Sequence, residues 1–241
     1  MCVTCSTGRV GGDGTGRPPQ ALVQFVASHA LGLIAEWGAL IGLLVYAFAH
    51  SGHRAVGIAS FLSLVPYVLL ASTTARLAQR HPPAIVRTIG LATQGIGFSS
   101  AGAVAVANGP LWLVVLFAAA GFTAATTMRP SGAVLLPALV RTSRELTTAN
   151  VWVGYADGSA LMFGPLSATV LLAIDGPGVA LVGCAGLSFT GAVVASAAIG
   201  HGPPAAGERT TAQPPPTGSW IRRMVSTPFT DVAQIARRSS S

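Results

Sequence analysis

Glu36 is the first residue whose placement calls for chemistry. It stands in the middle of ALGLIAEWGALIGLLVYAF, residues 30–48, an otherwise unbroken apolar run. An ionised carboxylate at the centre of a bilayer costs roughly 3 kcal/mol on insertion scales. A chain accepts that cost where the group faces companion helices or a wet cavity. Ser28, His29 and Gly32 lie four to eight residues before Glu36, at spacings that put all four on about one side of a helix. A carboxylate so placed either loads and releases a proton or serves as hydrogen-bonding glue between helices. Asp157 is the second candidate. It follows Asn150 by seven residues, about 10 Å of helical rise. It either lines the same cavity or bonds a neighbouring helix. His29 either relays protons to Glu36 or is held by an ordinary hydrogen bond.

Other chemistry is scarce. No nucleophile–base pair or cluster of metal ligands stands out. Cys2 and Cys5 form a lone C-x-x-C, half of a zinc site at most, and with Cys184 they make no disulfide framework. The string GGDGTG, residues 11–16, has the glycines of a phosphate loop but no preceding strand to aim its amides. The expectation is a protein that is not an enzyme, with no cofactor and no metal. Any transport it performs would draw on an ion gradient.

The elements that position these residues follow from composition. Only 9% of the 241 residues are charged and 51% are hydrophobic, against about 25% charged in soluble domains. Mean hydropathy is +0.62. These values point to an all-α, polytopic integral membrane protein. A membrane-spanning helix needs about 20 apolar residues, and six such stretches are expected, at 22–49, 55–75, 86–107, 111–128, 150–173 and 178–199. The breaks between them read HSGHR, QRHPPAIVR, NGP, RPSGAVLLPALVRTSREL and DGPG. Gly38 and Gly42 form a G-x-x-x-G that lets helices approach closely, and Pro165 is expected to bend the fifth helix.

All 14 basic residues are arginines, and the net charge is +7. They are not interleaved with aromatics on one face, which argues against nucleic acid as a partner. Their placement fits membrane topology. With the N-terminus inside, only Arg54 falls outside, a strong positive-inside pattern. The expected location is the inner (plasma) membrane, multi-pass, with both termini cytoplasmic. The domain plan is a flexible N-terminal tail (1–21), a transmembrane domain (22–200) and a Pro-rich basic tail (201–241). The first apolar run is too long for a cleaved leader and is expected to stay as an anchor.

The stretch RPSGAVLLPALVRTSRELTTANVWVGYADGSALMFGP, residues 129–165, carries Arg129-Pro130, then Leu136-Pro137 with Leu139-Val140, then Glu145-Leu146, Ala149-Asn150 and Gly164-Pro165. With AEWGAL around Glu36, it resembles the N-terminal six-helix half of a major facilitator superfamily transporter of the drug-efflux type, over residues 22–200. Departures are visible. ARLAQRHPP places Ala75 and Gln79 where the family's loop carries Gly and Asp, leaving Arg80, and GPLSA replaces paired glycines after Gly164-Pro165.

That resemblance implies a secondary transporter that exports small lipophilic compounds against protons, working as a homodimer or with a separate second half, among membrane lipids. Glu36, Asp157 and His29 would couple proton and substrate, and Arg80, Arg129, Asn150, Gly164 and Pro165 would serve structure or gating. The alternative is a truncated or degenerate half, or a membrane partner protein that transports nothing.

Overall fold

The computed structural model describes residues 20–140 and 142–199. The expected C-terminal tail and the expected N-terminal tail up to residue 19 lie outside the described residues, as do Cys2, Cys5, GGDGTG and the Pro-rich segment; Gln20 and Ala21 already belong to the first helix. Five helical elements make up the rest: α1 (Gln20–Arg80), α2 (Pro83–Val106), α3 (Leu111–Ala125), α4 (Met128–Leu139) and α5 (Ser143–Ile199).

Four helices among the described residues are long and apolar enough to cross a membrane: Gln20–Ser63, Pro83–Val106, Leu111–Pro137 and Ser143–Ala197. The chain is therefore an all-α polytopic membrane protein. The sequence expectation of six separate spans is corrected, and with it the assignment to a six-helix half of a major facilitator transporter. Stretches 22–49 and 55–75 belong to one helical element, and 150–173 and 178–199 to another. The physical reason lies in the two joints. HSGHR and DGPG look like loops, but each break is confined to one or two residues. Gly52 sits at φ 71, ψ −163, and Gly176 at φ 76, ψ −169 after Asp175 at φ −157, ψ 39. The two glycine conformations lie in a region that essentially only glycine enters, and helical backbone resumes at once on either side.

Neither element is a straight rod. A Cβ on Gly183 would lie 2.5 Å from Leu171 Cδ1, yet residues 12 apart in a straight helix stand about 18 Å apart along the axis. The segment after Gly176 thus lies back against the one before it. Pro165, by contrast, keeps helical backbone; the break falls at 175–176 rather than at the proline.

Between α2 and α3 the chain turns with left-handed Asn108 at φ 50. The Asn108 and Gly109 amides donate to Ala105 O and Val104 O at 3.1 and 2.9 Å, the Schellman arrangement that closes a helix. Pro110 then starts the next one. Tyr46 Oη donates to Gly109 O at 2.6 Å and ties α1 to this turn.

α5 packs against α1 and α2, and α3 against the same two helices. The largest core joins Leu43, Tyr46, Phe98, Val114 and Leu181, all fully or almost fully buried. Ala55 and Ala59, beyond the Gly52 break, belong to that same core. Large apolar side chains face outward, including Phe61 (66% exposed), Trp112 (65%) and Ile174 (70%). Faces this apolar suit lipid rather than water.

Candidate functional site

The stripe on α1 holds in three dimensions, and each of its members meets something different. Ser28 Oγ accepts from Arg87 Nε of α2 at 3.1 Å. His29 Nε2 lies 2.9 Å from Asp157 Oδ1 of α5. Gly32 O accepts from Gln94 Nε2 at 3.0 Å. Glu36, half-buried one turn further, makes no hydrogen bond or ion pair among the described residues.

His29 and Asp157 therefore meet, 128 positions apart in sequence. His29 is 6% exposed, whereas the Asp157 side chain is 45% exposed. The ring is stacked with Phe25, interplanar angle 5°. Among the described residues its Nδ1 is buried without a partner, and the Asp157 carboxylate supplies the ring's one polar contact. Because α5 starts at Ser143 rather than near 150, Asp157 lies about 21 Å along the helix, deeper than the sequence implies.

A cavity of about 210 Å³ opens beside this pair. Phe25, His29, Arg129, Asn150 and Asp157 are among its walls. Arg129 is exposed and makes no hydrogen bond or ion pair among the described residues; its charge acts on both His29 and Glu36. Asn150 Nδ2 donates to Leu146 O of its own helix at 3.0 Å. Glu36 lines neither this cavity nor the apolar one of about 480 Å³ between Val26 of α1 and Trp152 and Tyr155 of α5. The relay from His29 to Glu36 is not assembled: His29 is bound to Asp157.

Gly164 acts in packing. A Cβ on Gly164 would lie 2.5 Å from Trp37 Cβ and 3.3 Å from Gly38 N. Gly38 in turn faces Gly164 O and Cys184 Sγ, and Gly42 faces Ala180 and Leu181. The G-x-x-x-G of α1 is thus used within the chain, against α5. Arg80 closes α1, and its side chain lies outside the described ones.

Sequence reasoning missed Arg87 as a site residue. It is 1% exposed. It donates to Ser28 Oγ and, through Nη2, to Phe25 O at 3.3 Å, and its guanidinium lies 4.4 Å from the centroid of the Phe25 ring. Nη1 is buried with no partner. Gln94, fully buried, sits seven residues further along α2, with Oε1 also unpartnered. The signal was there in outline: Arg87, Gly90, Leu91 and Gln94 share one helix face, a polar stripe answering the one on α1. Counting Arg87 as a loop arginine concealed it.

No family model, no curated protein and no solved structure matches the chain.

Proposed function

We propose that this chain is a membrane partner protein: a helical subunit, not an enzyme, that acts by assembling with another membrane-embedded chain and does not carry solute alone. One observation carries the reading. Glu36 lies within a helix long and apolar enough to span a membrane, half-buried, with no hydrogen bond or ion pair in its own chain among the described residues and only the more distant charge of Arg129 acting on it. The hydrocarbon offers no water to satisfy it, and such a group costs several kcal/mol unless another group pairs with it. A hydroxyl, amide or guanidinium on a neighbouring chain would supply that pair. Trp37, next to Glu36 and 37% exposed, gives the contact an apolar rim.

The test is photo-crosslinking from position 37 in the native membrane. The reading expects a discrete adduct of defined mass that disappears in Glu36→Leu. An absent adduct, or one indifferent to Glu36→Leu, rejects it.

A second reading, proton-linked export of a small lipophilic compound, draws on the His29–Asp157 pair and the cavity beside it. It expects efflux of a lipophilic cation from vesicles to follow an imposed pH gradient and to stop in Asp157→Asn. Efflux equal to that of empty vesicles removes this reading.

A further inference from the structure

The apolar cavity of about 480 Å³ is an open groove between α1 and α5, walled by Val23, Ala27 and Ala30 on one side and Trp152, Tyr155 and Ser159 on the other. Val23, Trp152 and Tyr155 are exposed. His29 meets Asp157 and, further on, Gly38 meets Gly164, so the two segments run parallel. The groove therefore follows both helix axes, from Leu22 to Ala30, about 12 Å. Toward the helix starts its two faces lead to polar residues. Gln20 shares a face with Val23, Ala27 and Ala30, and Arg144 shares one with Trp152, Tyr155 and Ser159. Arg144 is exposed, and its side chain makes no hydrogen bond or ion pair among the described residues, whereas its neighbour Glu145 is engaged. Trp152 Nε1 and Tyr155 Oη have no hydrogen-bond partner among the described residues either. The Ser159 hydroxyl is spent on Ala156 O of its own helix.

In a bilayer an occupant of this groove gains nothing by leaving water, because lipid tails are as apolar as leucine. Length and the polar end decide what fits. The hydrocarbon core is about 30 Å thick, so one leaflet supplies about 15 Å. A groove of about 12 Å matches one leaflet, whereas a spanning partner helix would need a seam along both. Trp and Tyr combine an apolar body with a polar tip and gather where hydrocarbon meets headgroups. Arg144 stands about two turns nearer the helix start, and a guanidinium matches the oxygens of a phosphate. An acyl tail below and a phosphate above complete both ends.

We infer that the groove holds one acyl chain of a phospholipid whose phosphate is bound by Arg144, with Trp152 and Tyr155 at the level of its ester groups. The inference does not involve Glu36 and stands independently of the function proposed above.

The experiment uses the full chain in mild detergent and counts bound lipid by native mass spectrometry. The probes are phosphatidylglycerol and a diacylglycerol with the same tails. Wild type is compared with Ala27→Phe, which fills the groove, Arg144→Gln, which removes the cation at its mouth, and Val193→Phe, on an exposed position of α5 outside the groove. One phosphatidylglycerol per chain is expected in wild type and Val193→Phe, with apparent affinity at least tenfold weaker in Ala27→Phe and Arg144→Gln. Diacylglycerol should bind wild type at least tenfold more weakly than phosphatidylglycerol. Arg144→Gln changes an exposed side chain and keeps the test decisive if Ala27→Phe does not fold. A photoreactive residue at position 30 in the native membrane should then gain the mass of a phospholipid. No stoichiometric lipid, equal binding in Arg144→Gln, diacylglycerol held as tightly, or a protein-sized adduct from position 30 overturns the site.

Discussion

Gly164→Ala is the sharpest test of how α1 and α5 meet. The added Cβ would lie 2.5 Å from Trp37 Cβ, 3.2 Å from Ile34 O and 3.3 Å from Gly38 N. Carbons pack at about 3.5–4.0 Å, so over 1 Å of separation must be found. Two of the three obstacles are backbone atoms, and no rotamer change can relieve them. The helices must move apart, which opens the contacts of Gly38 with Cys184 and of Gly42 with Leu181. Overpacking of this kind costs about 1–3 kcal/mol, roughly five- to 150-fold in the unfolding equilibrium. Gly158→Ala on the same helix is the matched control, because its Cβ meets nothing within 4 Å. There the helix preference for alanine gives a change of zero to about 1 kcal/mol in the stabilising direction. Both variants are unfolded by titration from mild detergent into dodecyl sulfate, following tryptophan fluorescence. Equal midpoints for Gly164→Ala and Gly158→Ala would refute the close crossing at residues 38 and 164.

Removing the Asp157 carboxylate in Asp157→Ala leaves His29 buried with no polar partner at either ring nitrogen. Stability should fall by about 1–3 kcal/mol, and a double-mutant cycle with His29→Ala should show coupling above about 0.5 kcal/mol. Gly176→Ala has open space for its Cβ but an unsuitable backbone, φ 76. The same denaturant titration should show a loss of about 1–3 kcal/mol from backbone strain alone, and an unchanged midpoint would mean the break is not where the structure has it. Tyr46→Phe deletes the hydrogen bond to Gly109 O and should cost about 1 kcal/mol, with faster amide exchange at the α2–α3 turn as the local readout.

Helical, membrane-embedded character was legible because composition alone imposes it: few charges and long apolar runs. The number of separate elements was not. A polar pentapeptide such as HSGHR contains enough turn residues for a loop, yet one glycine at Gly52 absorbs the whole change of direction. Nothing in the residue types distinguishes the two. The stripe through Ser28, His29, Gly32 and Glu36 was readable because it depends only on spacing along one helix. Its partners were not, since the meeting of His29 with Asp157 depends on how α1 and α5 pack, and that contact joins residues 128 apart. Arg87 was overlooked because its sequence neighbours His81, Pro82 and Pro83 suggest a loop. The structure starts α2 at Pro83 and turns Arg87 inward onto Phe25.

The central claim is that Glu36 is completed by a second chain. The most direct measurement is the size of the protein in its native membrane, read by counting single-molecule bleaching steps and by native gel mass after gentle extraction, for wild type and Glu36→Leu side by side. The account predicts a complex larger than one chain for wild type and a lone chain for the variant, which still inserts. A wild-type protein that is alone in the membrane, or a complex that survives Glu36→Leu intact, would contradict it.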